Sequence, residues 1–225
     1  MSPLAKQALG ASLRFLLFLA ILLLVLSGDI AYWQLWVFLA VLAVSTTAIT
    51  VYLLRHDPAL LQRRMAAGPK AEKDKAQRVI MGFAAALFFA FALLPGIDHR
   101  FGWSHVPPAL VIIGDLAVAA GMLVVFLVFR ENTFAAATVA VHPDQKVISS
   151  GPYAIVRHPM YSGALVFVLG MSLALGSWWA LLLFPAITAV LAWRLVEEEK
   201  LLSVNLHGYQ AYRERRRYRL VPFVW

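Results

Sequence analysis

The chain reads PPALVIIGDLAVAAGMLVVFLVF over residues 107–129, and this stretch decides its fold class. It holds one charged residue, Asp115, and is long enough for a helix to cross the roughly 30 Å hydrocarbon core of a bilayer. Five further apolar segments lie at about 9–26, 31–54, 79–96, 160–176 and 178–196. Only Gly176 and Ser177 separate the last two apolar segments. This predicts either that they form a tight helical hairpin or that segment 160–176 does not cross the membrane completely. We predict an all-α fold, a polytopic membrane bundle of five or six transmembrane helices.

The composition agrees with a membrane protein. Hydrophobic residues make up 61% of the chain and charged residues only 14%, whereas a soluble domain carries about 25% charged residues. The polar segments are too short for a second domain, so we predict one membrane domain over 1–225, with N-terminal helices in 1–129 and the polar motifs in 130–225. The chain has no cysteine, which excludes disulfides and thiolate catalysis. Residues 27–29 are a poor signal-peptide cleavage site, so we expect the first apolar run to remain as a span.

Positive charge is confined to one side of the predicted bundle. All of the 20 lysines and arginines except Arg100 flank the first segment or lie in 55–78, 130–157 or 194–219. The positive-inside rule then places both termini and both long loops in the cytoplasm, which a six-span count satisfies. This topology explains the net charge of +8, and part of that charge can also attract anionic lipid headgroups. No nucleic-acid partner is therefore expected.

The longest segment between the late spans is RENTFAAATVAVHPDQKVISSGPYAIVRHPMYSG, residues 130–163. Proline disfavours helical backbone in the residue before it and suits the first turn of a helix. Pro152 therefore predicts a turn or a short helix beginning at Gly151. For the same reason, His158 is expected in an extended conformation directly before a span that begins at Pro159.

Three polar side chains next to this helix start are candidates for a binding site. Helix N-termini expose unpaired N–H groups and favour negative charge. Arg157, His158 and Tyr161 would therefore surround an anionic group at the membrane surface, and a carboxylate would suit them. The alternative interpretation is that Arg157 and His158 only anchor the helix end at the headgroups. A metal site formed by His142 and His158 is disfavoured because no cysteine or clustered acids lie nearby, so no metal is predicted.

A second constellation is WRLVEEEKLL, residues 193–202. Arg194 and Glu198 are four positions apart, so they share a helix face and can pair, while Glu199 points to another face. Ionisable groups at membrane depth or edge are functional candidates, although an interfacial charge cluster is the alternative. If the last two spans pack antiparallel, His158 comes close to both glutamates.

The tail, HGYQAYRERRRYRLVPFVW over residues 207–225, is rich in arginine and tyrosine. Tyr209 and Tyr212 are three positions apart and share a helix face. We expect a cytoplasmic interfacial helix that ends at Pro222 and lies on the bilayer or caps the site.

Together, GPYAIVRHPMYSG, RLVEEEKLL and GYQAYRERRRYRLVPFVW resemble the isoprenylcysteine carboxyl methyltransferase and phospholipid methyltransferase superfamily, and its bacterial members in particular. The resemblance covers about residues 130–225. It implies an integral membrane enzyme that uses S-adenosylmethionine without a Rossmann domain, and the chain has no GxGxxG before a helix. It also implies a lipophilic or membrane-associated acceptor, with a carboxylate as one candidate. A bacterial inner membrane, with the active site facing the cytoplasm, is the expected location.

Carried over residue by residue, the resemblance implies a cofactor pocket. The residues that it assigns to this pocket are Gly151, Pro152, Tyr153, His158, Pro159, Tyr161, Gly163, Glu198 and Glu199. It assigns catalytic roles to Arg194, Glu198 and Glu199. The two glutamates would bind the amino group of the cofactor or position the reacting pair, and Arg194 would hold the carboxylate of the acceptor.

Other functions remain open at this point. A carboxylate acceptor needs no general base, whereas a phospholipid amine or a small thiol needs one, which His158 or a glutamate could provide. A transporter would require charges or broken helices in the middle of spans, and only Asp115 is ambiguous in this respect. A membrane reductase similar to sterol reductases would add a nicotinamide site. The sequence does not predict the oligomeric state.

Overall fold

The computed structural model describes residues 2–65, 70, 72, 75–138 and 144–225. Within these residues the chain forms nine α-helices and one 3-10 helix, Gly151–Ala154, and no strand. The α-helices are α1 (Pro3–Ser27), α2 (Trp33–His56), α3 (Pro58–Met65), α4 (Lys75–Phe101), α5 (Pro108–Glu131), α6 (Pro159–Ala174), α7 (Trp178–Leu181), α8 (Phe184–Asn205) and α9 (Tyr209–Arg215). The predicted all-α fold is confirmed.

Five helical stretches are long and apolar enough to cross a membrane. They are Pro3–Ser27, Trp33–His56, Lys75–Phe101, Pro108–Glu131 and Trp178–Asn205. The remaining apolar helix, α6, has 16 residues and is therefore about 24 Å long. Its ends nevertheless lie at opposite ends of the bundle, because His158 before it contacts Glu199 near the end of α8, and Ser177 after it donates to Asp98 near the end of α4. The last two apolar segments therefore run in opposite directions, as the hairpin prediction required.

The bundle has two polar ends. We call the end that holds Lys6, His56, Lys75, Glu131, His158 and Asn205 the basic end. At the other end, contacts between loops hold the helices together: Ser104 Oγ donates to Asp98 Oδ2 at 2.7 Å and accepts from Trp178 N at 3.0 Å. His99 Nε2 and Asp29 Oδ2 lie 2.9 Å apart and join the α1–α2 turn to α4.

Local sequence explains where the first helix begins and ends. Ser2 caps α1, since its Oγ accepts a hydrogen bond from Ala5 N at 3.2 Å. Gly28 ends α1 with φ +65°, and its N–H donates to Leu24 O at 2.9 Å. Asp29 Oδ1 then accepts from Ala31 N at 2.8 Å, which stabilises a tight turn into α2.

Glycines let α5 and α6 pack backbone to backbone. A Cβ at Gly121 would lie 2.6 Å from the carbonyl oxygen of Gly163, and a Cβ at Gly114 would lie 2.3 Å from the backbone nitrogen of Ala174. Small residues permit this approach between membrane helices, where dispersion and interhelical contacts drive association. The start of α6 is thereby held firmly against α5.

Apolar side chains fill the interior of the helical bundle and also cover its outer face. Leu23, Leu35 and Phe38 are fully buried in the core, while Val44 is 71% exposed and Leu116 is 65% exposed. Such outward-facing apolar side chains suit contact with lipid. The polar side chains of the candidate site lie at the basic end of this bundle.

Candidate active site

The segment that leads into α6 folds as its prolines predict. Gly151–Ala154 is a 3-10 helix that begins at φ +55°, and His158 has non-helical backbone angles of −125° and 62° before Pro159 starts α6. The backbone N–H groups of Arg157 and His158 donate to the carbonyls of Tyr218 at 2.9 Å and Arg219 at 3.0 Å. The C-terminal tail therefore lies directly alongside this motif.

A first polar cluster surrounds Glu199. Its Oε1 accepts from Arg157 Nε at 2.7 Å and lies 3.2 Å from His158 Nε2, while its Oε2 accepts from Arg219 Nε at 3.0 Å. The side chains of Arg157, His158 and Glu199 are each 5% exposed. The predicted proximity of His158 to Glu199 is confirmed, and the carboxylate that Arg157 and His158 surround belongs to the chain itself. We call these four residues the Glu199 clasp.

The clasp also fixes the tail. Arg157 Nη1 donates to the carbonyl oxygens of Arg216 at 2.7 Å and Arg217 at 2.9 Å. Buried charges of this kind need full pairing, because desolvation costs several kcal/mol per ion. Both carboxylate oxygens of Glu199 are thereby engaged in joining the start of α6, α8 and the tail.

A second polar cluster lies beside it and consists of Glu72, Tyr161, Arg194 and Glu198. Tyr161 OH donates to Glu198 Oε2 at 2.6 Å and accepts from Arg194 Nε at 3.1 Å. Arg194 Nη2 donates to Glu72 Oε1 at 2.7 Å. The expectation that Arg194 pairs directly with Glu198 is wrong, because Tyr161 stands between them and Glu72 supplies the ion-pair partner. We call these four residues the Arg194 cluster.

An open cavity with an empty volume of about 880 Å³ lies against the Arg194 cluster at the basic end. Six of the predicted site residues line it: Tyr153, His158, Pro159, Tyr161, Arg194 and Glu198. Arg157 and Met160, which flank His158 and Pro159, also line the cavity. Further lining residues come from the segment before the motif and from the tail: Asn132, Phe134, Lys146, Tyr209 and Tyr212. The motif, α8 and the tail thus converge on one cavity.

Four predicted site residues lie outside the cavity lining. Glu199 sits in the clasp, and Gly163 faces the carbonyl of Gly121 across the α5–α6 contact. A Cβ at Gly151 would lie 3.0 Å from a carboxylate oxygen of Glu131. Pro152 belongs to the same 3-10 helix, one residue before Tyr153 of the cavity wall.

Tyrosines form a neutral wall of the cavity. Tyr153 OH accepts from Asn132 Nδ2 at 2.8 Å, and Tyr212 OH donates to the carbonyl of Tyr153 at 2.8 Å. The buried hydroxyl of Tyr209 has no hydrogen-bond partner in the part of the chain that the structure describes. Burial raises the pKa of Tyr153 and of Tyr209, and it raises the pKa of Tyr212 to about 12. All three are therefore neutral hydroxyls near pH 7.

The tail departs from the prediction in one respect. Helix α9 ends at Arg215 rather than at Pro222. The physical reason is that the chain turns back on itself, because the N–H groups of Arg219, Leu220 and Val221 all donate to the Trp225 carbonyl oxygen, at 2.8, 2.9 and 3.2 Å. This turn brings the Arg219 side chain to Glu199.

An apolar groove adjoins the Arg194 cluster. It has an empty volume of about 850 Å³ between α4, α6 and α8, and it is lined by Met81, Ala84, Ala85, Leu87, Phe88, Ala164, Phe167, Val168, Ile187, Val190 and Leu191. One helical turn from Ala164 and Leu191 toward the basic end, α6 and α8 carry Tyr161 and Arg194. On α4, Gln77 Nε2 donates to the Arg194 carbonyl at 3.5 Å. The groove therefore lies one helical turn from the Tyr161 and Arg194 side chains, which line the cavity.

Sequence reasoning missed two residues of the site. Glu72 was overlooked because it lies in a mainly basic loop, and nothing in its spacing points to Arg194. Asn132, which orients Tyr153, follows the end of α5 and was read only as part of the approach to the motif. No group of three or more histidine, aspartate or glutamate side chains in the described ranges is arranged to hold a metal, and His142 lies outside those ranges.

Comparison with known protein families gives a match over the second half of the chain. Residues 109–207 match the sequence profile described as phospholipid methyltransferase, which belongs to the isoprenylcysteine carboxyl methyltransferase-like superfamily. The matched stretch runs from the start of α5 to just beyond α8 and contains Tyr153, His158, Tyr161, Arg194 and Glu198. No curated protein matches the chain.

Proposed function

Residues 109–207 match the phospholipid methyltransferase profile, and we propose that the chain is a membrane methyltransferase of this family that transfers a methyl group from S-adenosylmethionine to a lipophilic acceptor. The observation that carries this proposal is that an apolar groove, lined by Ala164 and Leu191, lies one helical turn from Tyr161 and Arg194, which line the polar cavity. A polar cofactor and a membrane-dissolved acceptor need such a junction. We further propose that the basic end faces the cytoplasm of a bacterial inner membrane, as its positive charges predict.

The cavity residues fit the cofactor. Glu198 has no ion pair among the described residues and accepts one hydrogen bond, from Tyr161, so it has capacity for the amino group of the cofactor. The neutral rings of Tyr153 and Tyr212 offer faces for an aromatic base or for a cation. The Tyr209 hydroxyl lacks a partner and can donate to the cofactor carboxylate.

When bound, S-adenosylmethionine supplies an activated methyl group on its sulfonium, and the sulfur keeps the bonding electrons as the acceptor atom bonds to the methyl carbon. The chain therefore has to provide mainly alignment and exclusion of water. In this proposal Tyr161 and Glu198 hold the donor side and Arg194 orients the acceptor. A proton released by an amine or thiol acceptor passes to His158, whose ring lines the cavity.

The predicted site residues that lie outside the cavity contribute by positioning other residues of the site. We assign Glu199 the role of a positioning residue that holds Arg157, His158 and the tail in place. Gly151 and Pro152 shape the cavity wall by placing Tyr153, and Gly163 sets the distance between α5 and α6.

The apolar groove is the proposed site of the acceptor chain. Its lining is almost purely aliphatic and aromatic, which suits an alkyl or prenyl chain that enters from the bilayer. Such a chain would bring its headgroup to Arg194, next to the cofactor cavity. This placement explains why a methyltransferase of this kind is built into a membrane.

The test is a transfer assay with purified protein. The protein is incubated with methyl-labelled S-adenosylmethionine and a lipid extract, and we expect label in the lipid phase. A parallel calorimetric titration with NADPH tests the reductase alternative, and we expect no heat of binding. Saturable binding of NADPH, or the absence of any binding of S-adenosylmethionine, would overturn the proposal.

A further inference from the structure

The buried ion pair between Arg194 and Glu72 bears on the chemistry of the acceptor. Arg194 is 6% exposed and Glu72 is 2% exposed, and their closest charged atoms are 2.7 Å apart. Arg194 lies on α8, while Glu72 lies in the segment between α3 and α4. A pair this deeply buried neutralises both charges, because either ion alone would be strongly destabilised.

The hydrogen-bond donors of Arg194 are largely in use. Nε donates to Tyr161 OH at 3.1 Å, and Nη2 donates to Glu72 Oε1 and to the carbonyl oxygen of Ala137 at 3.2 Å. Nη1 is buried and has no partner among the described residues. Arginine recognises a carboxylate best through two parallel N–H groups on one edge of the guanidinium. Each such edge of Arg194 includes a nitrogen that Tyr161 or Glu72 already engages.

We propose that Glu72 determines acceptor specificity: it takes the place of a substrate carboxylate on Arg194, so the site accepts a reacting group that carries no negative charge. The inference rests on the proposed function and deepens it. Nη1 remains for a single hydrogen bond to an uncharged oxygen of the acceptor. Glu198, which shares Tyr161 with Arg194, adds a second carboxylate to the same cluster and further disfavours an anion.

This inference changes the role predicted for Arg194 from the sequence. A carboxylate acceptor would have to displace Glu72 from Arg194 and so separate a buried pair of opposite charges. Leaving a buried charge without its partner is costly. Arg194 therefore orients an uncharged headgroup rather than neutralising an anionic one.

A binding experiment tests the inference independently of methyl transfer. Native mass spectrometry of the detergent-purified protein compares palmitate with palmityl alcohol, which share a chain and differ in headgroup charge. We expect the wild type to prefer the alcohol, and we expect Glu72→Gln to raise the affinity for palmitate relative to the alcohol by at least about tenfold. Glu72→Asp keeps the charge and should restore the wild-type preference. Glu197→Gln neutralises a surface carboxylate paired with Lys200 on α8 and should leave the preference unchanged.

A double variant keeps the test informative if Glu72→Gln alone does not fold. Replacing both partners, as in Glu72→Gln with Arg194→Gln, leaves neither buried charge unpaired and is expected to fold. Because this variant lacks the Arg194 guanidinium that Glu72→Gln alone would release, it should keep the preference for the alcohol. A gain of palmitate binding in the double variant would contradict the inference, since the gain could not come from a released Arg194.

The chemistry of the product gives a second readout. Mild base cleaves methyl esters but not methylated amines or thioethers, so the base-labile share of label reports carboxylate methylation. We expect wild-type product to be base-stable and Glu72→Gln to raise the base-labile share. If no lipid is labelled, the proposed function fails while the binding arm still reports on Glu72. A base-labile wild-type product, or the same palmitate-to-alcohol ratio in wild type and Glu72→Gln, would overturn the inference.

Discussion

Glu198 and Glu199 are neighbours in sequence, yet they belong to two different polar clusters at the basic end. Glu199 accepts from Arg157 and Arg219 and contacts His158, and the side chains of Glu199, Arg157 and His158 are each only 5% exposed. Glu198 accepts from Tyr161 and faces a cavity. The 100° step between adjacent helical positions separates the two side chains. A carboxylate that contacts three side chains of the protein positions the site, whereas a carboxylate that accepts a single hydrogen bond has capacity for a ligand.

The strongest test of this comparison is Glu199→Gln. The substitution leaves Arg157 and Arg219 without their buried counter-charge, so we expect a loss of about 3–5 kcal/mol of stability. Thermal unfolding in detergent, followed by circular dichroism, measures it. An unfolding midpoint equal to that of the wild type would show that the clasp is not structural.

A smaller loss of stability is expected from Gly121→Ala. This substitution disturbs both clusters through α6, which supports them and packs against α5 at Gly121. The added methyl would lie 2.6 Å from the Gly163 carbonyl and 2.7 Å from the backbone nitrogen of Phe167, so α6 has to shift. We expect a cost of about 1–3 kcal/mol together with weaker cofactor binding. Gly82→Ala is the matched control, because nothing lies within 4 Å of its Cβ position and stability should not fall. A loss confined to stability, with full cofactor affinity, would separate helix packing from the site.

Tyr212→Phe should have a smaller effect still. It removes one hydrogen bond, to the carbonyl of Tyr153, and leaves the ring in the cavity wall. The expected loss of stability is about 0.5–1.5 kcal/mol, with a modest reduction in cofactor affinity. Chemical denaturation of the variant and the wild type side by side measures it. A loss as large as that of Glu199→Gln would mean that the tyrosine wall belongs to the structural clasp.

Much of this architecture can be predicted from sequence because it depends on local patterns. Apolar runs predict the long helices, the prolines predict the turn at Gly151 and the start of α6, and the hairpin predicts the contact of His158 with Glu199. Long-range partners cannot be predicted in this way. Arg194 was expected to pair with Glu198 on its own helix, but its actual partner, Glu72, comes from a loop whose position only the folded chain determines. The end of α9 was misplaced for the same reason, since the tail is shaped by backbone hydrogen bonds to Trp225.

The central claim, that the cavity beside Glu198 binds S-adenosylmethionine, is tested most directly by calorimetric titration of Glu198→Gln. A charge-assisted hydrogen bond to the amino group is worth about 1.5–3 kcal/mol, so we predict roughly a tenfold to hundredfold rise in Kd. The unfolding midpoint should stay close to that of the wild type. Glu197→Gln, one residue earlier on the surface of α8, should leave Kd unchanged. An unaltered Kd in Glu198→Gln, measured on folded protein, would contradict the account.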